Sequence, residues 1–284
     1  MTELIEETGT QMTNKTFKSI ISHDKESNRV YLMNLDPEDF PEIINYIEKL
    51  ANSNQYSKLF AKVPAIYGPT FFAAGYINEA SIPGFFNNQE DALFLVKYNL
   101  EERRLPETEF LTSLQQMLLQ PADHEEFEMD ECYSIRLLTE KDTQMMIPIF
   151  KEVFETYPFP IYDSHFLIKS MLEDGTRYFG IFYDKKLVAI SSAECNDINK
   201  NAEMTDFAVL QTHRGKRLST HLLSFMENDL AKDGFKTLYT IARLRSLPMN
   251  KTFYNNGYKY AGTLTRNTQI SGKIESMNVW YKKI

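Results

Sequence analysis

A basic, glycine-containing turn in the second half of the chain could bind a phosphorylated ligand. A strand pattern from Asn201 to Leu210 leads into this turn, Arg214-Gly215-Lys216-Arg217, and an apolar helix pattern follows. Such a turn presents unpaired backbone N–H groups at the positive end of a helix dipole, and both attract a pyrophosphate. The alternative is an ordinary strand-to-helix connection with solvated cations, which explains the turn alone equally well.

Two acidic residues, Glu203 and Asp206, lie in the strand before this turn. A carboxylate can accept a proton from an amine or pair with an ammonium group, so both residue types suit a cationic substrate. Regular strand alternation would place the two side chains on opposite faces. The alternative for Glu203 is an exposed strand glutamate, which the strong β-formers and apolar residues around it disfavour.

The elements that must position these residues predict an α/β (α+β) fold with a mixed, largely antiparallel sheet. In the second half, strands are predicted at 133–138, 177–183, 186–195, 201–210, 236–242, 258–266 and 274–282. Helices are predicted at 140–155, 163–173, from the basic turn to 232, and at 246–256.

The first half predicts a smaller α/β unit. Its strands are expected at 28–35, 58–63, 76–82 and 91–98, with a helix from Asp36-Pro37 to 50 and a turn at Pro83-Gly84. Residues 99–131 change to a helical and then acidic composition. These changes predict a polar segment (1–25), a small α/β domain (26–100), a helical and acidic linker (101–131) and a second domain (132–284).

Composition and charge limit the kinds of partner. With 43% hydrophobic and 13% aromatic residues, the 284-residue chain has material for two cores. Its formal net charge of −8 disfavours nucleic acid and anionic membranes and favours a small cationic substrate. No apolar run reaches the length of about 20 residues that a bilayer requires, so a cytoplasmic protein is predicted. Cys132 and Cys195 lack the spacing of a metal site, so no metal is expected.

The basic turn resembles that of a known family. Arg214 to Ser219 is similar to the Gln/Arg-x-x-Gly-x-Gly/Ala pyrophosphate loop of the GNAT N-acetyltransferases, and the element order of the second half resembles theirs. Arg217 stands where the family usually has glycine, and Ser219 where it has glycine or alanine. The resemblance implies acetyl-CoA as co-substrate, bound by Phe207, Val209, Arg214, Gly215, Lys216, Arg217, Leu218, Ser219 and Asn250.

The same resemblance implies catalytic roles. The segment Asn250 to Tyr258 is similar to the family's helix ending in Tyr-x-x-Gly-Phe, whose tyrosine often protonates the CoA thiolate, so Tyr254 is implied as the acid. The alternative is a core tyrosine before a glycine C-cap. Glu203 is implied as the base. A lysine-type ammonium has a pKa of about 10.4, and keeping it neutral at pH 7 costs roughly 4.6 kcal/mol.

The acceptor pocket is also implied by resemblance. GNATs carry a β-bulge in this strand, and because a bulge re-aims a side chain, Asp206 is expected to hold the substrate's second ammonium. Backbone N–H groups near Phe207 and Val209 are expected to polarise the thioester carbonyl. Tyr157, Phe159 and Asp163, between the first two helices of the second half, are also expected in the pocket, and a buried turn is the alternative there. Glu79 of the first half is expected to reach the same pocket, and a surface glutamate is the alternative.

A more specific resemblance, to the β-lysine N6-acetyltransferases, covers most of the chain. It implies acetylation of the ε-amine of β-lysine to Nε-acetyl-β-lysine, a compatible solute, by direct attack in a ternary complex. Gly75 to Phe86 lies outside the generic acetyltransferase domain, so it separates this family from other GNATs. The similar stretches are Gly75 to Phe86, Tyr157 to Pro160, Ala202 to Phe207, Met249-Asn250, Asn267 to Ile270 and Met277 to Lys282.

Several alternatives stay open. The acceptor could be another small amine, such as a polyamine or an aminoglycoside. Because a polyamine has no carboxylate, a cation in the cleft, such as Arg243, Arg245 or Arg266, would distinguish the two. The chain could instead be a non-catalytic acyl-CoA-binding sensor, as Arg217 in the loop suggests. The first half could be a degenerate GNAT-like half that closes the pocket or mediates a homodimer.

Overall fold

One twelve-stranded sheet runs through the protein in the computed structural model, which describes residues 16–123, 128–157 and 159–284. The first half contributes five strands and two helices, and a third helix connects it to the second half. These elements are β1 (Ile20–Asp24), β2 (Arg29–Asn34), α1 (Glu42–Ser53), β3 (Lys58–Pro64), α2 (Gly68–Ala73), β4 (Ile77–Phe86), β5 (Glu90–Tyr98) and α3 (Thr108–Leu118).

The second half contributes the other seven strands and four helices. These are β6 (Tyr133–Leu137), α4 (Thr143–Val153), α5 (Ser164–Leu172), β7 (Thr176–Tyr183), β8 (Lys186–Asn196), β9 (Asn201–Val209), α6 (Leu218–Lys232), β10 (Thr237–Arg243), α7 (Leu247–Asn255), β11 (Lys259–Ile270) and β12 (Lys273–Lys283). All the strands and helices predicted for this half are present, and the mixed, mainly antiparallel sheet of an α/β protein is confirmed.

Both halves repeat one order of elements. The order β1-β2-α1-β3-α2-β4-β5 recurs as β8-β9-α6-β10-α7-β11-β12. The pairing recurs too, since β2 and β3 are parallel like β9 and β10, and β5 lies beside β3 as β12 lies beside β10. The sheet order β1-β2-β3-β5-β4-β11-β12-β10-β9-β8-β7-β6 is therefore symmetric about the β4–β11 contact, apart from β7 and β6.

Helices α1 and α6 cover the outer faces of the two halves, α4 and α5 pack on the inner face of the second half, and an apolar cluster on the inner face joins the halves. Phe60 and Phe94 of the first half pack there with Tyr239, Leu264 and Val279 of the second. The inner faces of the two halves therefore face each other, and polar side chains on those faces come together between the halves.

Three expectations for the first half need correction. The strand β1 was not predicted. Helix α1 begins at Glu42 and not at Asp36, because the residue before a proline avoids helical geometry and Phe40, before Pro41, is extended. The predicted turn at Pro83-Gly84 is wrong: β4 continues to Phe86 through an irregular register, where a sheet tolerates proline.

The predicted linker packs tightly against both halves. Leu114 and Met117 of α3 are buried in the core of the second half. Arg103 donates from Nε to the Arg266 carbonyl at 2.9 Å and from Nη1 to Ser57 Oγ at 2.6 Å. The division into domains stays a prediction, since one sheet spans both halves.

Candidate active site

The site begins where β9 and β10 part. The two strands pair only from Asn201 to Glu203 of β9, whereas β9 continues beside β8 as far as Val209. The second part of β9, which includes Phe207 and Val209, therefore has an open edge toward β10. Its backbone groups on that edge are available to a ligand inserted between the strands.

The basic turn lies at the end of this open edge and starts α6. Gly215 has a φ of +78° and open space where a Cβ would stand. A pocket of about 390 Å³ opens here. Most of the predicted cofactor residues line this pocket, namely Phe207, Val209, Arg214, Gly215, Arg217, Leu218 and Ser219. The rest of the lining consists of Val153, His213, Thr220, Pro248 and Thr252.

Lys216 turns away from this pocket. Its Nζ donates to the Tyr133 hydroxyl at 2.9 Å and lies over the rings of Tyr133 and Tyr183. His213 contacts the same hydroxyl at 2.9 Å through Nδ1. An aromatic cluster beside the loop thus holds the Lys216 side chain, and the role of Lys216 in cofactor binding stays a prediction.

Asp206 sits in a β-bulge of β9, with a left-handed φ of +56°. Its Oδ2 accepts from Ser192 Oγ at 2.6 Å, and its Oδ1 accepts from the Tyr157 hydroxyl. Ser192 pairs with Thr205 across the strands and so points to the same face as Glu203. The bulge thus brings both predicted carboxylates to one face of the sheet. Burial raises the pKa of Asp206, and the Ser192 and Tyr157 hydroxyls oppose that rise.

Glu194 joins these carboxylates, because its position on β8 pairs directly with Glu203. Burial, followed by the charges of Glu203 and Asp206, raises the pKa of Glu194 to about 8. Burial also raises the pKa of Glu203, while Lys62 and the Tyr239 hydroxyl oppose that rise. Glu194 is surrounded by protein yet keeps an exposed surface, so it lines a cleft that water can enter.

The opposite wall of this cleft comes from the first half. Lys62 of β3 donates to the Tyr239 hydroxyl at 3.1 Å. Burial lowers the pKa of Lys62, but Tyr31, Glu203 and Glu194 together raise this pKa by more than burial lowers it. Lys62 therefore stays a cation. Tyr31 of β2 stands beside it, and burial raises the pKa of the Tyr31 phenol. The cleft therefore holds carboxylates on one wall and a cation on the other.

The structure places two residues assigned on α7 outside the loop pocket. Asn250 is fully buried, donates to the carbonyls of Arg243 and Ser246, and accepts from Asn278 and Trp280, so no part of its side chain is left for a cofactor. The Tyr254 hydroxyl donates to the Gln120 carbonyl at 2.8 Å, outside the loop pocket. Phe253, and not Tyr254, is the residue of α7 whose side chain points into the protein.

Phe253 explains the orientation of Tyr254. It is buried, and its ring lies 5.6 Å from the ring of Phe207 on β9. Adjacent helix positions point about 100° apart, so a buried Phe253 turns Tyr254 aside.

The structure brings only one of the predicted pocket side chains outside β9 to the acidic cluster, namely Tyr157. Phe159 is 49% exposed, and Asp163 caps α5 by accepting from the His165 amide at 2.9 Å. Glu79 forms an ion pair of 3.2 Å with Lys58, whose pKa burial lowers to about 7, and also accepts from the Tyr98 hydroxyl. Phe159, Asp163 and Glu79 thus lie apart from the acidic cluster, and their substrate roles stay predictions.

Sequence reasoning missed Glu194, Lys62 and Tyr31. The predicted strands 186–195 and 201–210 form a hairpin, so its register could have placed Glu194 opposite Glu203. No local signal indicates that the face of Lys62 and Tyr31 turns toward β9. That placement depends on the contact between the halves.

Comparison with known proteins identifies the class of this site. Residues 140–258 match the model of the Acetyltransferase (GNAT) family, which spans the bulged strand, the basic turn and α7. The fold and site are those of a GNAT-type N-acetyltransferase, an enzyme class that uses acetyl-CoA to acetylate amines.

Full-length relatives define the family more narrowly. The chain is 36% identical to the Beta-lysine N(6)-acetyltransferase of Methanococcus maripaludis, over 93% of this chain and 96% of that protein, and it belongs to that family. It is 26% identical to the N-acetyltransferase YodP of Bacillus subtilis over 94% of this chain and 96% of that protein. A Beta-lysine N(6)-acetyltransferase of Methanosarcina mazei is 29% identical over 56% of this chain and 59% of that protein.

Two kinds of feature are absent from the described residues. Across 16–123, 128–157 and 159–284, no helix is long and apolar enough to cross a membrane. In the same ranges, no three His, Cys, Asp or Glu side chains are grouped so that they could hold a metal ion.

Proposed function

We propose that the protein transfers the acetyl group of acetyl-CoA to the ε-amine of β-lysine, giving Nε-acetyl-β-lysine. The observation that carries this proposal is the position of β9 between two sites. The loop pocket lies at its open edge, and the cleft with Glu194, Glu203, Asp206 and Lys62 lies on its inner face. The names of the relatives in Methanococcus and Methanosarcina support β-lysine as the acceptor.

The residues of the loop fit the pyrophosphate of acetyl-CoA. Helix α6 has fifteen residues, and its unpaired N-terminal amides carry the positive end of its dipole toward the pocket. Arg214 and Arg217 line the same pocket and add positive charge. When bound, acetyl-CoA supplies an activated thioester, and the open edge at Phe207 and Val209 offers backbone amides to its carbonyl.

Glu203 accepts the proton that the ε-ammonium must lose. Burial raises the pKa of this carboxyl, which strengthens it as a base. Lys62 and the Tyr239 hydroxyl oppose that rise and so favour the ionised form that accepts the proton. Water in the cleft can relay the proton if the amine and the carboxyl are not in contact.

Asp206 and Glu194 bind the second ammonium of β-lysine. Asp206 is oriented by Ser192 and Tyr157, so its carboxylate is held in one place before the substrate arrives. The pKa of Glu194, about 8, means that it carries a proton for part of the time at neutral pH. A bound ammonium favours the ionised form, so Glu194 becomes a second counter-ion.

No side chain is assigned as the acid for the departing thiolate, because Tyr254 lies elsewhere. A thiol with a pKa of about 8.5 leaves as the thiolate without strong assistance. The proton held by Glu203 can return through the cleft water once the thiolate has formed.

Competition between β-lysine and α-lysine tests the proposal. The purified enzyme receives both compounds with acetyl-CoA, and mass spectrometry identifies the acetylated amine. We expect acetylation at the ε-amine and a preference for β-lysine of about ten- to a hundredfold in kcat/KM, because a displaced inner ammonium would leave Asp206 poorly satisfied. Equal use of both, or acetylation of the β-amine, would contradict β-lysine as the substrate.

A further inference from the structure

Arg29 of β2 is a buried guanidinium with an unused edge. Its Nη1 donates to the Asn267 carbonyl at 2.8 Å and to Thr268 Oγ1 at 3.1 Å. Its Nε is buried and has no hydrogen-bond partner among the described residues, and Nη2 donates to none of them either. Nε and Nη2 lie on the same edge of the guanidinium, which is the fork that binds both oxygens of a carboxylate.

No carboxylate in the described ranges forms an ion pair with Arg29. Burial is the main influence on its pKa, which it lowers, while Tyr31 and Asp24 act in the opposite direction. Asp24 accepts from the Ser27 amide and does not reach the guanidinium. Buried charges are normally paired, and the described residues leave this edge of Arg29 open to an anion.

Three other buried or half-buried cations have partners. Arg243 and Arg245, considered from the sequence as carboxylate receptors, pair with Glu275 at 2.8 Å and 3.3 Å. Lys58 pairs with Glu79. Arg29 differs from these three because its fork has no acceptor among the described residues.

Tyr31 connects Arg29 to the acceptor cleft. The Arg29 guanidinium lies 5.2 Å from the centre of the Tyr31 ring. The pKa of the same phenol, raised first by burial, also responds to Lys62 and Glu203. Arg29 and Tyr31 are two positions apart on one strand face, so their Cα atoms are roughly 6.6 Å apart. The unused fork therefore lies at the far end of the cleft that Glu203 and Asp206 border.

We propose that Arg29 binds the carboxylate of the amino-acid substrate through its Nε and Nη2 edge. This rests on the proposed acetylation of a lysine-type amino acid. The carboxylates of the second half bind the two nitrogens, and Arg29 of the first half binds the acid group. The first half thereby selects an amino acid over a diamine or polyamine, which has no group for this fork.

Paired substrates that differ only in the acid group test this role. We expect the wild-type enzyme to prefer β-lysine over β-lysine amide by about ten- to a hundredfold in kcat/KM. Arg29→Gln removes the charge but keeps a hydrogen-bonding side chain, and it should lower kcat/KM for β-lysine by the same factor, mainly through KM. Its activity on the amide should stay near that of the wild type, which also shows that the variant is folded.

Two further variants sharpen the test. Arg29→Lys keeps the charge without the fork and should recover part of the preference for the acid. Arg245→Gln makes the same change at a cation already paired with Glu275, and it should leave the preference intact.

The outcomes separate this inference from the proposed function. A preference for the acid that persists in Arg29→Gln, or an equal loss with acid and amide, overturns the role of Arg29. Repeating the pair with α-lysine and its amide covers the other case. If α-lysine is the better substrate but the enzyme's preference for α-lysine over its amide depends on Arg29, then β-lysine is the wrong acceptor and the carboxylate site at Arg29 is still supported.

Discussion

At the scale of single residues, the charge pairs of the cleft set the chemistry. Glu203 lies on the same face as Asp206, whose negative charge adds to burial in raising the pKa of Glu203. Lys62 stands opposite and favours ionisation of Glu203. The effective basicity of Glu203 is therefore a balance between a cation from one half and a carboxyl from the other.

This balance predicts opposite pH shifts from two substitutions. The base must be ionised, so kcat/KM should rise with pH through the pKa of Glu203. Lys62→Met removes the cation that lowers this pKa and should move the rise to higher pH. Asp206→Asn removes a negative charge that raises this pKa and should move the rise to lower pH. Kinetics across pH 5 to 9, about two units either side of neutrality, measure both shifts.

Glu203→Gln provides the reference for that experiment. It should abolish the rise and reduce turnover more than about a hundredfold, the range typical of removing a general base. If Lys62→Met and Asp206→Asn shift the profile in the same direction, or if Glu203→Gln leaves it unchanged, the assignment of Glu203 is wrong.

At the scale of elements, the start of α6 carries a local strain. Arg217 is the N-cap residue and adopts a left-handed φ of +55°, which costs a non-glycine residue about 1 kcal/mol or more. The GNAT loop usually has glycine at this position. The arginine therefore occupies a backbone geometry that suits glycine, while its side chain lines the loop pocket.

Arg217→Gly should stabilise the protein and weaken cofactor binding. Relief of the left-handed strain should raise the free energy of unfolding by up to about 1 kcal/mol, measured by urea denaturation. Loss of the guanidinium should raise the KM for acetyl-CoA severalfold while the KM for the amine stays unchanged. Lys185→Gly is the matched control, since Lys185 has a φ of +66° in the β7–β8 turn. It should gain similar stability without a change in either KM, and an unchanged acetyl-CoA KM in Arg217→Gly would exclude a phosphate contact.

At the scale of the whole molecule, the junction between β4 and β11 holds the two halves together. Gly262 of β11 pairs with Ala80 of β4. A Cβ at Gly262 would lie 2.0 Å from the Glu79 carbonyl oxygen and 2.8 Å from the Ala80 Cα, and these backbone atoms cannot move aside separately. The close approach of the halves therefore requires glycine at this position.

Gly262→Ala should separate the strands at the junction and destabilise the protein by about 3 kcal/mol or more. Because the cleft needs both walls, we also expect a lower kcat/KM for the amine. Gly272→Ala is the control: it has a φ of +77° and open space around its Cβ position, so it should cost only about 1 kcal/mol of backbone strain. Thermal unfolding of both variants measures the difference, and equal losses would show that the junction tolerates a side chain.

The repeated order of elements gives the two halves unequal tasks. Tyr31 is in the third residue pair between β2 and β3, and Glu203 is in the third residue pair between β9 and β10. Across the cleft, the charge of Glu203 raises the pKa of Tyr31. The connection after β2 contains Asp36, Glu38 and Asp39, where the second half has its basic turn. The charge of that acidic connection opposes phosphate binding. The first half keeps the arrangement of strands but contributes only to the acceptor side.

Sequence alone determined the elements of the second half, the basic turn and the pair Glu203 and Asp206. Hydrophobic periodicity, turn residues and motif spacing act between neighbouring positions, so one chain segment carries the whole signal. Even the re-aiming of Asp206 followed from a bulge that belongs to its own strand.

Only the tertiary structure decided which side chains share the cleft. A motif names Asn250 and Tyr254 but does not say which side of α7 faces inward, and the packing of Phe253 on Phe207 settles that. Arg29 and Lys62 are charged residues in ordinary strands, with nothing in their own segments that points to a ligand. Their roles arise because β2 and β3 face β9 and β10 across a junction between residues far apart in the chain, and burial and ion pairing depend on those distant neighbours.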